Sequence, residues 1–449
     1  MLLHRSHVAA VVVGSAFRCL PYLLSFLLTS CGGTINPTYV LPDICKAYDD
    51  TQFTPLATAP PPTDVFEDPG QIKVMHGFGS AQLSSGKKII KVEQSVTIPS
   101  YADQAAVFLN GWRLNYQGGD QNVLGLGALI TKIKLDQRNQ KLSWNAAGML
   151  RDDDFKEGYN FTYHYTVVAW ASSALNLRVD QGNPDHFCNP DTDLPDKSFL
   201  AFNKGTTTAL SVFSVFSQDP ASSSYRPVAI LPRGFAFVWY GGDHNLLQLG
   251  YNLDYSEISV VQGKIYNNNK NHVHTVGDVL TGIPAPLPNP ASRVDSGFVS
   301  WNTHAIFKDN RYRRNHVFSE IVSTLSGADL GLIQPPFSIL PWEESAIGPV
   351  APAGVITKDV VIENLPYKYA IPVLTGWELG YIDDDQNLKE GGIWIDEWSY
   401  TPGYGSGVGG TLRYKISSIL RDDDTTTYHY SRHRVTVVGI KSILAQPIP

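Results

Sequence analysis

A chain of 449 residues with 43% hydrophobic content is too long for one ordinary domain and carries enough apolar surface for two or three cores. Its net charge of −7 excludes a strongly basic nucleic-acid footprint, so no nucleic-acid partner is expected. Aromatic residues at 11%, 38 glycines, 29 prolines and only 17% charged residues point to β-structure rather than to long amphipathic helices.

Residues 1–30 hold Arg5 and Arg18, no acid, and an apolar stretch from Cys19 to Leu28 that ends in small residues, which is the layout of a secretory signal peptide. The run Leu28-Thr29-Ser30-Cys31-Gly32 resembles a bacterial lipobox, and the resemblance implies lipidation at Cys31. A plain cleaved signal is the second reading. A membrane-spanning anchor is the third and fits worst, because Arg18 leaves less than the ~20 apolar residues a span needs. The protein is thus expected to be exported and lipid-anchored at a bacterial cell envelope or outer surface. Loss of the leader removes two arginines and no acid, taking the net charge from −7 to −9. Cys45 and Cys188 remain; in an oxidising compartment they most simply form a disulfide, with two separate buried thiols as the alternative.

From Cys31 to Gly70 the chain contains "TPLATAPPPTDVFEDPG", a Pro-rich composition expected to act as a spacer (31–70). Beyond it the sequence repeats. The first anchor occurs as "GWRLNYQGGDQN" from Gly111, "GFAFVWYGGDHN" from Gly234 and "GWELGYIDDDQN" from Gly376, with Trp112, Phe235 and Trp377 each eight residues ahead of Asp120, Asp243 and Asp385. The second anchor is an aromatic eight residues ahead of an Asp: Trp144 and Asp152, Trp301 and Asp309, Tyr414 and Asp422. An alternating run follows each one: "YNFTYHYTVVAW", "NHVFSEIVSTL" and "YHYSRHRVTVVGI". Period-two alternation predicts half-buried antiparallel strands. The expected fold is all-β: three antiparallel β-sandwich repeats in tandem over 71–175, 176–330 and 345–449, the second with a long inserted loop.

The polar turns are the first candidate site. Gly-Gly supplies backbone freedom, and Asp and Asn bond their own backbone, so Asp120, Asn122, Asp243, Asn245, Asp385 and Asn387 fit a structural corner. The same oxygens fit a polar ligand or Ca²⁺. Asp152, Asp154, Asp422 and Asp424 stand in runs of three acids, each run preceded by an arginine; they are the candidate calcium ligands, because adjacent carboxylates repel unless a cation offsets them. The matching Lys308-Asp309-Asn310 should hold Ca²⁺ least well. Of the aromatics, Tyr116, Trp239 and Tyr381 precede the turns and could face outward and stack on sugar rings, although Tyr116 shares a strand face with Trp112 and is buried if Trp112 is. His272, His274, His429 and His433 are expected at the surface. "GSGVGG" (Gly405–Gly410) lacks the strand-to-helix context of a phosphate loop.

The "VFLNGWRLNY" strand, the Asp turn and the closing "YHYTVVAW" strand together are similar to the H-type lectin domain, over about 70 residues of each repeat. The resemblance implies a small antiparallel sandwich of a family that forms trimers and binds amino sugars; three copies on one chain could imitate such a trimer. Acids in triplicate fit multivalent binding better than the paired carboxyls of a glycosidase. The expected function is therefore that of a noncatalytic, surface-tethered binder of glycans or another surface polymer. The alternatives are a structural subunit that associates with itself or an envelope complex, and a polysaccharide hydrolase.

Overall fold

The computed structural model describes residues 53–84, 89–152, 154, 156–180, 206–216, 228–239, 243–262, 297–310, 316–327, 329–333, 354–382, 384–403, 409–423 and 428–441. Cys31, Cys45, Cys188, Asp424, His272 and His274 lie outside them. Among the described residues every regular element is a strand, and no helix is long and apolar enough to cross a membrane. The all-β reading therefore holds.

An edge strand, β1 (Thr63–Asp68), comes first, formed by the last residues of the segment read as a spacer. Three sets of six strands follow. Repeat 1 comprises β2 (Ile72–Leu83), β3 (Ile90–Thr97), β4 (Gln104–Tyr116), β5 (Gly125–Asp136), β6 (Lys141–Arg151) and β7 (Tyr159–Trp170). Repeat 2 comprises β8 (Leu177–Asp180), β9 (Thr206–Phe216), β10 (Val228–Trp239), β11 (Gln248–Gln262), β12 (Gly297–Lys308) and β13 (His316–Gly327). Repeat 3 comprises β14 (Leu330–Ile333), β15 (Val355–Leu365), β16 (Tyr369–Tyr381), β17 (Glu390–Thr401), β18 (Gly410–Arg421) and β19 (His429–Ile440). The third repeat thus begins with β14, earlier than residue 345, because β14 pairs with β19.

Every sheet is shared between two repeats. The orders are β1-β2-β7-β4-β17-β18-β15, β3-β6-β5-β10-β13-β8 and β14-β19-β16-β11-β12-β9, all antiparallel. In each, the first, sixth and third strands of one repeat continue into the fourth, fifth and second strands of the repeat before it. Repeat 1 joins repeat 2 through β5–β10, repeat 2 joins repeat 3 through β11–β16, and repeat 3 returns to repeat 1 through β17–β4. The three seams close a ring with pseudo-threefold symmetry.

Alternation explains which side chains meet on the axis. Trp112, Leu114 and Tyr116 point to one face of β4, and all three are buried. Trp112, Phe235 and Trp377, one from each repeat, converge with ring centroids 5.2, 5.0 and 4.9 Å apart, within the range in which tilted and edge-on aromatic pairs attract. Close approach of the seams needs glycine. A Cβ on Gly392, Gly127 or Gly250 would lie 2.5, 2.7 or 2.9 Å from the carbonyl oxygen of Trp112, Phe235 or Trp377 in the adjoining strand. Each third strand also carries a bulge beside its own glycine, at Gly111, Gly234 or Gly376.

Replacing Trp112 by Phe, the residue that repeat 2 uses at this position, removes buried volume but keeps a ring on the axis, so it should cost less than truncation to alanine. Trp112→Ala should cost about 3–5 kcal/mol through loss of burial and the cavity left on the axis. Urea unfolding of both variants measures the difference.

Candidate functional site

The three polar turns lie together around the axis. Val123 pairs with His244, Leu246 with Gln386, and Leu388 with Gln121, each pair exchanging two backbone hydrogen bonds of 2.8 and 3.0 Å. Val123, Leu246 and Leu388 are buried beneath this ring. The pentads therefore do more than turn a corner: each one grips the next. The Asp residues form the outer part of each turn, and the residue after the Asn plugs the core.

Around this ring each turn meets the loop between the fifth and sixth strands of the preceding repeat. At the seam of repeats 3 and 1, the Asp120 backbone N–H donates to Asp423 Oδ2 at 2.9 Å. At the seam of repeats 2 and 3, the Asn310 side chain donates to Asp384, and Asn310 N lies 3.5 Å from Asp385 Oδ2. Burial raises the Asp385 carboxyl pKa, and the nearby charges of Asp384 and Asp309 raise it further against the lowering contact from Asn310. At the seam of repeats 1 and 2, burial pushes the Tyr116 hydroxyl well above its ordinary value, with the negative charges of Asp152 and Asp243 adding to it. Tyr381 shows the same pattern, from burial first and then Asp422 and Asp120. Each buried tyrosine thus senses one carboxylate from each side of a seam.

Asp120, Asp243 and Asp385 are half-buried, while Asp152, Asp309 and Asp422 are only 4%, 3% and 6% exposed. Asn122, Asn245 and Asn387 are half-buried in the ring. The acid-run residues do not converge on one centre: Asp152 and Asp422 belong to different seams, and Asp154 is exposed and held by Lys156 at 2.7 Å. Among the described residues, no three His, Cys, Asp or Glu side chains come together as a metal cluster.

Two expectations about exposure are corrected, the outward-facing aromatics and the surface histidines, while Tyr116 follows the parity with Trp112 that the sequence already showed. Trp239 is 1% exposed and stacked on Phe307 at 4.3 Å, and Tyr116 and Tyr381 are 0% and 3% exposed; inward parity shared with the axial aromatics buries all of them, so none offers a stacking face. His429 and His433 are buried at 0% and 7% exposure, because they share the inward face of β19 with Ser431 and Val435. Burial lowers both histidines to about 4.

Charged residues at the seams were not anticipated from the sequence. Glu390, 1% exposed, is bonded by Arg113 across the seam and by Arg421 at 2.8 Å on its own side. Gln248 and Tyr430 both donate to Glu378 at the seam of repeats 2 and 3. A usable signal existed for two of them: Arg113 and Glu378 are charged positions inside runs otherwise built for burial.

The arrangement defines a single-chain, pseudo-trimeric all-β protein with three polar junctions at one end of its axis. Comparison with known protein families, with characterised proteins and with solved structures finds no match to this chain.

Stability should depend on pH through buried histidines. Burial lowers His76 to about 4 and, with His76 and Arg113 nearby, His164 to about 3. Unfolded histidines take up protons from their ordinary value of 6.5, whereas these four resist until about 4 or below. Their contribution is complete above pH 6.5 and falls as pH drops towards 4, by roughly 1–2 kcal/mol per histidine between pH 7 and 5. Urea midpoints at these two pH values test the slope.

Proposed function

We propose that this protein is a noncatalytic, multivalent binder of glycans or another surface polymer, acting through the three polar junctions. The observation that carries the reading is that the turns holding Asp120, Asp243 and Asp385 are brought into one ring at one end of the molecule. Ligand groups spaced to reach two or three junctions would be held by weak contacts that reinforce one another through effective concentration. The ligand-facing atoms are the carboxylates and amides at the rim, not the aromatic faces, which are buried. The likeness of each repeat to an H-type lectin domain supports a saccharide as the ligand. A lipidated Cys31 and the segment behind it would place the binder at an envelope surface.

Calcium belongs to the same proposal. A cation would sit where Asp152 approaches Asp243, or where Asp422 approaches Asp120, since each junction offers one carboxylate from each repeat. At the remaining junction the loop of repeat 2 offers only Asp309, with Asn310 beside it, but the facing turn of repeat 3 supplies Asp384 and Asp385, so this junction is a third candidate for the cation.

A glycan array probed with the wild-type chain and with Asp120→Ala/Asp243→Ala/Asp385→Ala is the direct test. Binding by the wild type should weaken by more than about tenfold in the triple variant and by less in each single one; equal binding by all five proteins would remove the junctions from the reading. Calcium should raise the melting temperature and a chelator lower it, since a ligand held only by the folded state stabilises by mass action. Coincident melting curves would return the acidic loops to a structural role.

A further inference from the structure

The three seams are alike in backbone but not in the side chains that cross them. Two of the seams join repeats that follow one another in the chain. The third, between repeats 3 and 1, joins the last repeat to the first with no short covalent link. It must be held by contacts alone.

That seam carries a distinct set of contacts. Glu390 of repeat 3 accepts from Arg113 of repeat 1 and from Arg421, and only 1% of it is exposed. At the corresponding positions the seam of repeats 1 and 2 has Gly125 and Ala236, and the seam of repeats 2 and 3 has Gln248 and Glu378. Asn110, fully buried, donates to the Pro372 carbonyl and accepts from Leu374 N, both at 3.0 Å. His76 reaches the Ile395 carbonyl at 3.1 Å, and His164 stacks on Trp394 with centroids 5.9 Å apart. Lys389 donates to the Gly118 carbonyl. The edge strand β1 adds a clasp over repeat 3: Phe66 stacks on Tyr369 at 4.8 Å, and Asp68 accepts from Lys368 and Tyr369.

We propose that this seam is a keyed latch that selects pairing of β17 with β4 over pairing of either edge with β10 or β16, so that an open molecule closes in register instead of mispairing with a second copy of the chain. The faces it joins are heterologous: the exposed edge would be β17 on repeat 3 and β4 on repeat 1 in an open molecule. Heterologous faces form a ring when the rotation closes and an open-ended polymer when it does not. Open β edges are also ready templates for pairing with another chain. A buried charge bonded from both sides fixes register, because any other pairing leaves the carboxylate desolvated without Arg113. Glu390 placed against β10 would meet Ala236 in place of Arg113, and placed against β16 it would meet Glu378. The wrong seams are thereby penalised, one by a lost partner and one by like-charge contact. The latch does not rest on what the polar junctions bind.

The test is the oligomeric state of the full chain after refolding from urea at high concentration, measured by size-exclusion chromatography with light scattering. Wild type should return as monomer. Arg113→Ala/Glu390→Gly places the residue types of the repeat 1–2 seam at the latch, a combination this backbone already accommodates; it should raise the dimer and higher-oligomer fraction by about tenfold. A second measurement covers loss of folding in that variant. Chains carrying Glu390→Arg and chains carrying Arg113→Glu each place like charges across their own latch, but the altered residues complement each other between chains. Refolded together they should form heterodimers in excess of either homodimer. A wild type that polymerises, a double variant that returns wholly monomeric, or co-refolding without heterodimers would each overturn the latch.

Discussion

Three aromatic rings meeting on one axis are the constraint from which the rest of the fold follows. Trp112, Phe235 and Trp377 touch only if the third strand of every repeat runs beside the axis. That proximity forces each of these strands against the fourth strand of the preceding repeat, and the approach is tolerated because Gly392, Gly127 and Gly250 leave space over the neighbouring carbonyls. Sheet sharing is the consequence. No repeat owns a complete sheet, so none can bury its strand edges alone, and stability becomes a property of the closed ring.

The polar turns belong to the same mechanical scheme. Each supplies one buried aliphatic residue, Val123, Leu246 or Leu388, and pairs its backbone with the turn of a neighbouring repeat. The Asp and Asn side chains are then fixed at the rim of a rigid ring, close to the loop of the repeat before. Preorganised oxygens lose little entropy on binding, so a site built this way can act with shallow contacts, provided several are engaged at once.

How much of this was legible in the sequence can be judged from particular residues. The constant eight-residue spacing from aromatic to Asp and the period-two runs disclosed the triplication and the strands, because both are local. The parity that ties Tyr116 to Trp112 also settled its burial once the aromatic was known to face inward. Partner choice was not legible: β5 pairs with β10 and β17 with β4 across long stretches of chain, and alternation specifies which face is apolar without naming the strand alongside. The fourth-strand glycines were visible as letters, but their role depends on a carbonyl contributed by another repeat. Glu390 was hidden for the same reason. On one repeat it reads as a surface acid, and only the closing seam supplies the arginine that makes its burial tolerable.

Triplication therefore has two opposite records in one molecule. Positions facing the axis kept their chemistry, because a change in one ring alters contacts with both others and the core accepts only residues of similar volume. Positions crossing the seams diverged, from Gly125 and Ala236 to Gln248 and Glu378 to Glu390 and Arg113. A homotrimer could not do this: identical chains make three identical seams, and a charge useful at one appears at all. Fusing the copies removes that restriction. The three junctions at the end of the axis inherit the same freedom, and they already differ, with Asp423 against Asp120 at one seam and Asn310 against Asp385 at another. Such a molecule keeps the spacing of a trimer while presenting surfaces that need not recognise the same chemical group.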